Sequence, residues 1–384
     1  MEIAPVVVVV PTVIYASMLG VTIFALVDAV CKPKHQQTVF LIGLLVLLLI
    51  HILGELLIYT GAYRYLPALA GMQLPLRVLL GPALYFYAHA TMSVDRRLPT
   101  RAYLIAALGP VLVLIAMAPF IVGLSSAEKL ALADPLTRNP EHFKLAVLAC
   151  TSAMVIFVLF TFGYLIAALK LHQQHRAQLM DRFAAIEAQS LDWFRVVLLL
   201  WGCTWFLFAL EYITVFLELR WFGSGVVLPL FEAVVLLAFA YLALNQSVLT
   251  DSDRGVPQAA TPRVAALSHE RMAFIAEKLN TVMTKDELFM DENLSLNKLS
   301  QAVSVSENHI SETLSQHLNT NFYHFVNGFR IEATKTRLQN STDSVSVISY
   351  DVGFNSKSTF NTAFKKASGM TPSGFRKQAQ LQTT

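Results

Sequence analysis

The sequence predicts an all-α protein in two parts, an N-terminal bundle of seven transmembrane helices followed by a soluble helical domain built from two helix-turn-helix units. Three observations carry this. Of 384 residues, 55% are apolar and 14% charged, with a mean hydropathy of +0.53, values that a single soluble domain seldom reaches. Charge is unevenly spread: residues 1–250 hold 28 acidic and basic side chains, whereas the 134 residues of 251–384 hold 27. The second part also repeats a short helix, a turn and a second helix, and the two second helices start 49 residues apart. A wholly soluble globule, a disordered chain and a disulfide framework are all disfavoured. Cys31, Cys150 and Cys203 lack metal spacing and read as small buried hydrophobes in apolar segments.

A hydrocarbon core of ~30 Å takes ~20 helical residues. Seven apolar runs have about that length: Pro5 to Val30, Thr38 to Thr60, Gln73 to Val94, Ala102 to Leu124, Lys144 to Leu169, Val196 to Leu219 and Gly225 to Leu249. The first has no basic leader or cleavage site and is too long for the apolar stretch of a signal peptide, so it reads as a retained helix. Mostly short connections suggest antiparallel neighbours in one bundle. Lys32, Lys34, Arg96, Arg97, Arg101, Lys170, Arg176, Arg182 and Arg195 fall on one side, against Arg64, Lys129, Arg138, Lys144 and Arg220 on the other. This nine-to-five bias makes the first side cytoplasmic, with the N-terminus outside and everything after Leu249 inside.

Between the fifth and sixth runs, Leu171, His175, Leu179, Phe183 and Ile186 recur at helical spacing. They predict a helix continuing from the fifth, which either rests on lipid headgroups or couples to the C-terminal half. Residues 250–268, with Asp251, Ser252, Asp253, Gly255, Pro257 and Pro262, read as a polar linker.

The soluble domain, 269–384, opens with a helix from Glu270 to Met283 that places Met272, Ile275, Ala276, Leu279 and Met283 on one face. In the first unit, about 296–317, Leu296, Leu299 and Ala302 mark the short helix, Ser304 and Val305 the turn, and Ser306 a cap for Glu307 to His317. In the second, about 345–366, Val345, Ile348 and Val352 mark the short helix, Gly353 the turn, and Ser356 begins a helix to Lys366. Phe322, Phe325, Val326, Phe329 and Ala333 recur on one side of the intervening segment, with Ile331 and Leu338 on another. A helix apolar on two sides suits a bridge between units. From Asn321 to Leu338 it would span ~25 Å, so both recognition helices could enter adjacent major-groove turns, ~34 Å apart. Residues 330–384 also carry eight basic and three acidic side chains, a surplus compatible with an anionic partner.

The run Ser344-Val345-Ser346-Val347-Ile348-Ser349-Tyr350-Asp351-Val352-Gly353-Phe354, followed by Phe360, Phe364-Lys365-Lys366, Gly369-Met370-Thr371-Pro372 and Phe375-Arg376, resembles the C-terminal signature of AraC/XylS-type transcriptional regulators. The resemblance covers about Asp291 to Lys377. It implies two helix-turn-helix units on a bridging helix that bind double-stranded promoter DNA, and it leaves room for a homodimer and for contact with RNA polymerase. The whole layout is similar to members that attach this module to a seven-helix membrane domain. Ser304 and Asn319 depart from it, standing where glycine is usual, and Glu312 stands where a basic residue is common. By matching positions, Asn308, Ser311 and Glu312 of the first unit and Lys357, Ser358, Asn361 and Thr362 of the second would reach base edges. Lys365, Lys366, Arg376 and Lys377 would hold phosphates, which position the module without reading sequence.

Ionisable residues inside spanning helices are costly. Glu55, Arg77, Glu211 and Glu232 come from four helices at similar depth in the outer third, and His51 lies one turn deeper than Glu55 on the same face. They form either structural ion pairs or a polar pocket open to the outside, where a small ligand or proton changes the pairing. Three carboxylates against one arginine favour cations or hydrogen-bond donors. The sequence thus predicts a one-component regulator in the bacterial inner membrane, needing no catalytic residue, metal or cofactor. A membrane hydrolase using His51 and Glu55, or a transporter using the charges as a relay, are the rival readings, but no HExxH, nucleophile elbow or phosphate loop accompanies the pair.

Overall fold

The structure is a computed structural model that describes residues 8–93, 98–132, 136–186, 190–216, 225–246 and 267–383. Most of the linker 250–268, and the loop residues Arg96, Arg97 and Arg220, lie outside these. The chain divides into two compact units. One comprises Met1–His172 and Trp193–Val248; the other comprises Gln173–Asp192 and Leu249–Thr384.

The first unit contains α1 (Val9–Cys31), α2 (Gln36–Tyr59), α3 (Leu74–Arg77), α4 (Leu80–Met92), α5 (Thr100–Ile121), α6 (Ser126–Ala131), α8 (Asp192–Phe216), α9 (Val227–Asn245) and most of α7 (Pro140–Met180). Among the described residues, six helices are long and apolar enough to cross a membrane: α1, α2, α5, α7, α8 and α9. The third predicted run is also helical but is interrupted at Val78 and Leu79. Pro82 explains the break, since it offers no N–H to the Val78 carbonyl four residues back and its ring crowds that oxygen.

Helix α1 packs on α2 and α9, and α2 on α4. Small residues permit close approach: a Cβ on Gly81 would lie 3.0 Å from Thr161 Cα, and one on Gly202 2.6 Å from the Leu165 side chain. Tyr87, Phe194, Trp201 and Phe239 form a connected aromatic group between α4, α8 and α9. The outward faces are as apolar as the interior, with Phe24 72% and Ile115 65% exposed. Cys31 and Cys203 also lie exposed and Cys150 is half-buried, which corrects the expectation of buried thiols: apolar surroundings in sequence do not distinguish an inward from an outward face when both are apolar. Thr22, Thr91, Thr161 and Thr204 each donate to the carbonyl four residues back, satisfying hydroxyls without water.

The second unit contains the end of α7 and its connecting segment, then α10 (His269–Lys285), α11 (Leu296–Val303), α12 (Glu307–Glu312), α13 (Phe322–Asn340), α14 (Val345–Asp351), α15 (Lys357–Ser368) and α16 (Pro372–Thr383). Polar caps start each of these helices from α10 to α15: Ser268, Ser295, Ser306, Asn321, Ser344 and Ser356 accept from the backbone three residues on. Such caps contribute about 1 kcal/mol each. Ser304 does adopt the left-handed conformation, φ 52°, and closes α11 through Val305 N–H to Ser300 O, 3.2 Å. Asn319, at φ 49°, does the same work after α12, which continues as a π turn over Thr313–His317.

The bridging helix α13 buries two sides as expected. Phe322, Phe325 and Val326 enter a first cluster with α10, α11 and α12, while Ile331 and Leu338 enter a second with Ile348, Val352, Phe354, Phe360 and Phe364. The first cluster also takes in Ala184. The predicted helix through Ile186 therefore ends earlier, at Met180, because the backbone at Arg182 and Ala184 is bonded to Leu296 and Leu294 instead of continuing its own ladder.

Candidate nucleic-acid interface and buried charge cluster

Helix α15 turns Phe360 and Phe364 into the second cluster, and that anchoring decides what its other face presents. Lys357, Asn361 and Lys365 form one row at four-residue spacing; Ser358, Thr362 and Lys366 form the row beside it. All six are exposed. Thr362 Oγ1 donates to Ser358 O at 3.0 Å, so its lone pairs face outward as acceptors. Gly369, at φ 76°, stops the helix directly after the lysines, which sit where the helix dipole favours positive charge.

The corresponding face of α12 is smaller. Asn308 is exposed, while Ser311 and Glu312 are half-buried. Glu312 Oε1 accepts the Leu267 N–H at 3.1 Å, tying the end of α12 to the residue before the α10 cap. Arg376 is also tied, its Nη2 donating to Asp343 O at 2.6 Å beside the α14 cap, whereas Lys377 is exposed.

Beneath this surface lies a buried network that was not expected. Arg330 is fully buried, at 0% exposure. Its guanidinium donates to Phe289 O at 2.8 Å, Asp291 O at 2.8 Å and Asn327 Oδ1 at 3.2 Å, and lies 5.5 Å from the Phe354 ring. The carboxyl of Asp291 is held below its ordinary range: burial pushes it up, but hydrogen bonds from Lys298 and the Asn293 N–H, with the charges of Lys298 and Arg330, outweigh that. Periodicity alone places Arg330 next to Ile331 on the inward side, a signal that an arginine's usual exposure obscures.

In the first unit, four of the five charged or titratable residues singled out from the sequence meet. Arg77 Nη1 donates to Glu55 Oε1 at 3.0 Å and its Nη2 lies 3.7 Å from Glu232 Oε1. His51 Nε2 is 3.4 Å from Glu232 Oε2, and its Nδ1, without a hydrogen-bond partner, is 3.9 Å from Glu55 Oε1. Glu211 lies apart from them, its Oε1 accepting the Gly225 N–H at 2.6 Å. Tyr15, absent from the sequence-based set because it carries no charge, donates its hydroxyl to Glu232 Oε2 at 2.8 Å. Aromatic faces complete the lining, with the Arg77 guanidinium 3.8 Å from the Phe208 ring centre. A cavity of about 30 Å³ adjoins the cluster, lined by His51, Arg77, Glu232, Trp201, Thr204 and Trp205 among others; that exceeds the roughly 10–15 Å³ that one water molecule needs. With His51 neutral, the two carboxylates exceed the guanidinium by one charge, and protonation of His51 balances them.

Residues 299–378 match the family of helix-turn-helix domains. Several proteins described as uncharacterized HTH-type transcriptional regulators are similar to part of this chain. One from Staphylococcus aureus (strain COL) is 36% identical over 100 residues, 26% of this chain and 13% of that protein. YdeC of Bacillus subtilis (strain 168) is 31% identical over 86 residues, 22% of this chain and 30% of that protein. The chain thus spans a small part of the curated relatives it matches. No solved structure matches. The chain carries, at its C-terminal end, a helix-turn-helix domain of the AraC type, a DNA-binding class found in transcriptional regulators.

Proposed function

We propose that this chain is a membrane-embedded one-component regulator that binds promoter DNA in a sequence-specific manner under control of a signal sensed by its helical bundle. One observation carries the reading. A rigidly backed row of Lys357, Ser358, Asn361, Thr362, Lys365 and Lys366 occurs in the same chain as six lipid-length helices with apolar outer faces. In this reading α15 enters the major groove, where lysine suits guanine and asparagine suits adenine. Lys365, Lys366 and Lys377 contact phosphates, Arg376 positions the start of α14, and Asn308 and Ser311 supply the weaker contacts of α12.

The bundle lies in a bacterial inner membrane with its N-terminus outside. Its charge cluster is the sensing site, where a proton or small cation alters the pairing of Arg77 with Glu55 and Glu232. The signal acts through different affinity for two arrangements of the bundle.

Two measurements test this. An enzyme reporter fused after Leu249 is expected to work only in its cytoplasm-dependent form, and one in the segment from Ser125 to Arg138 only in its export-dependent form. Full-length protein in lipid discs is expected to retain a small set of genomic fragments selectively. The opposite topology, or retention without selectivity, overturns the reading.

A further inference from the structure

The segment that follows α7 is built into the second unit by backbone bonds. Leu296 N–H donates to Arg182 O at 2.8 Å, and Ala184 N–H donates to Leu294 O at 3.2 Å. These two bonds flank Phe183 and Ser295, which oppose each other in an antiparallel bridge, in the position where side chains stand closest. Ala184 is 1% exposed within the first hydrophobic cluster, so nothing larger fits there without displacing its neighbours. The Ala184 carbonyl accepts Asn327 Nδ2 at 3.1 Å, 143 residues away in sequence. Farther along, Arg176 and Asp192 pair at 3.3 Å across the base of the segment.

The attachment point bears on both recognition helices. Ser295 is the cap of α11, so the bridge holds the entrance of the first helix-turn-helix unit. Asn327 lies on the bridging helix and passes its other side-chain end, Oδ1, to Arg330, which grips the carbonyls of Phe289 and Asp291. The turn of the second unit rests on that same stretch: a Cβ on Gly353 would stand 2.7 Å from Phe289 O and 2.8 Å from Met290 O. One short strap is therefore bonded to the first unit, to the bridge and, through Arg330, to the carbonyls against which the second unit is seated.

We propose that Arg182–Ala184 is the docking strap through which the bundle controls DNA binding: docked, it fixes the spacing of the two recognition helices, and released, it lets them move independently. The strap is continuous with α7, whose residues 140–172 belong to the bundle unit, so any rearrangement of that helix loads the strap directly. This inference rests on the regulator reading above.

The experiment uses full-length protein in lipid discs and a DNA site selected by the wild type from genomic fragments. Ala184→Arg, which cannot be accommodated, and Asn327→Ala, which removes the bond to the Ala184 carbonyl together with the one from Arg330 Nη1, should each weaken selective binding by about 5- to 150-fold, the usual range of coupling between sites. Binding to random DNA should stay unchanged. The double variant should lose little more than the stronger single one, since both release the same strap. In membranes, Phe183→Cys with Ser295→Cys should cross-link on mild oxidation, whereas neither single variant should. Selective binding within twofold of wild type for both Ala184→Arg and Asn327→Ala, or no cross-link, overturns the strap while leaving the regulator intact. If the wild type selects no site, the regulator reading fails first and the strap falls with it.

Discussion

Among the described residues each unit buries one arginine, and the two are satisfied by different means. Arg77, in the bundle, faces two carboxylates and lies within a cluster that also holds a histidine and a tyrosine. Arg330, in the DNA-binding unit, is gripped by main-chain carbonyls and an amide oxygen that have no proton to gain or lose near neutrality. The first arrangement contains groups that can gain or lose a proton; the second holds its arginine with groups that cannot. The former suits the sensing role proposed for the bundle, the latter a fixed scaffold.

The comparison breaks most sharply at Arg330. Arg330→Met leaves three buried acceptors without these donors, and should destabilise the C-terminal unit by about 3 kcal/mol or more, at ~1 or more per orphaned acceptor, read as lost hydrogen-exchange protection in α13. Arg330→Lys should recover only part, because a single ammonium cannot span the same three directions. If Arg330→Met were as protected as wild type, the network would not be holding the scaffold.

Arg77→Gln should cost less, no more than about 3 kcal/mol, because the uncompensated carboxylates can take up a proton instead of remaining charged. Its effect should appear in function: promoter output at matched membrane abundance becomes insensitive to external pH and to cations. Glu55→Gln with Arg77→Gln should restore packing but not responsiveness. Identical responses from all variants would make the cluster structural.

On the proposed DNA surface, Lys357→Ala should cost about 1–3 kcal/mol at the selected site and relax preference at one base position, whereas Lys366→Ala should weaken all sequences alike and reduce the salt slope by about 1. Equal losses on specific and random DNA for both would erase the distinction between reading and positioning.

The smallest effect concerns His324, which burial and then the nearby charge of Lys366 hold below the ordinary 6.5. A depressed histidine favours the neutral form, so its contribution is complete above about pH 6.5 and is lost as pH falls through the folded value. Lys366→Ala should move the His324 titration upward, measurable with isotope-labelled histidine; an unmoved midpoint would exclude that charge as a cause.

Much of this was legible because it is local. Apolar runs long enough to span a bilayer, serine and asparagine caps, the glycine turn at Gly353 and the two-sided apolar pattern of α13 all follow from residues within a few turns of one another, where backbone geometry and side-chain type are directly coupled. The inward row of Phe360 and Phe364 likewise specified which residues of α15 face out.

What tertiary structure decided lies at long sequence separation. Helical spacing brought His51 and Glu55 to one face, yet only packing placed Tyr15 and Glu232 beside them, since α1 and α9 meet through chain segments 217 residues apart. Nothing in the alanine at 184 announces a partner at Asn327, and Glu312 on α12 shows no local sign that it will accept the Leu267 N–H. Periodicity tells a side chain that it points inward; which group it meets depends on how separately formed helices are brought together, and that information resides in no single stretch of the chain.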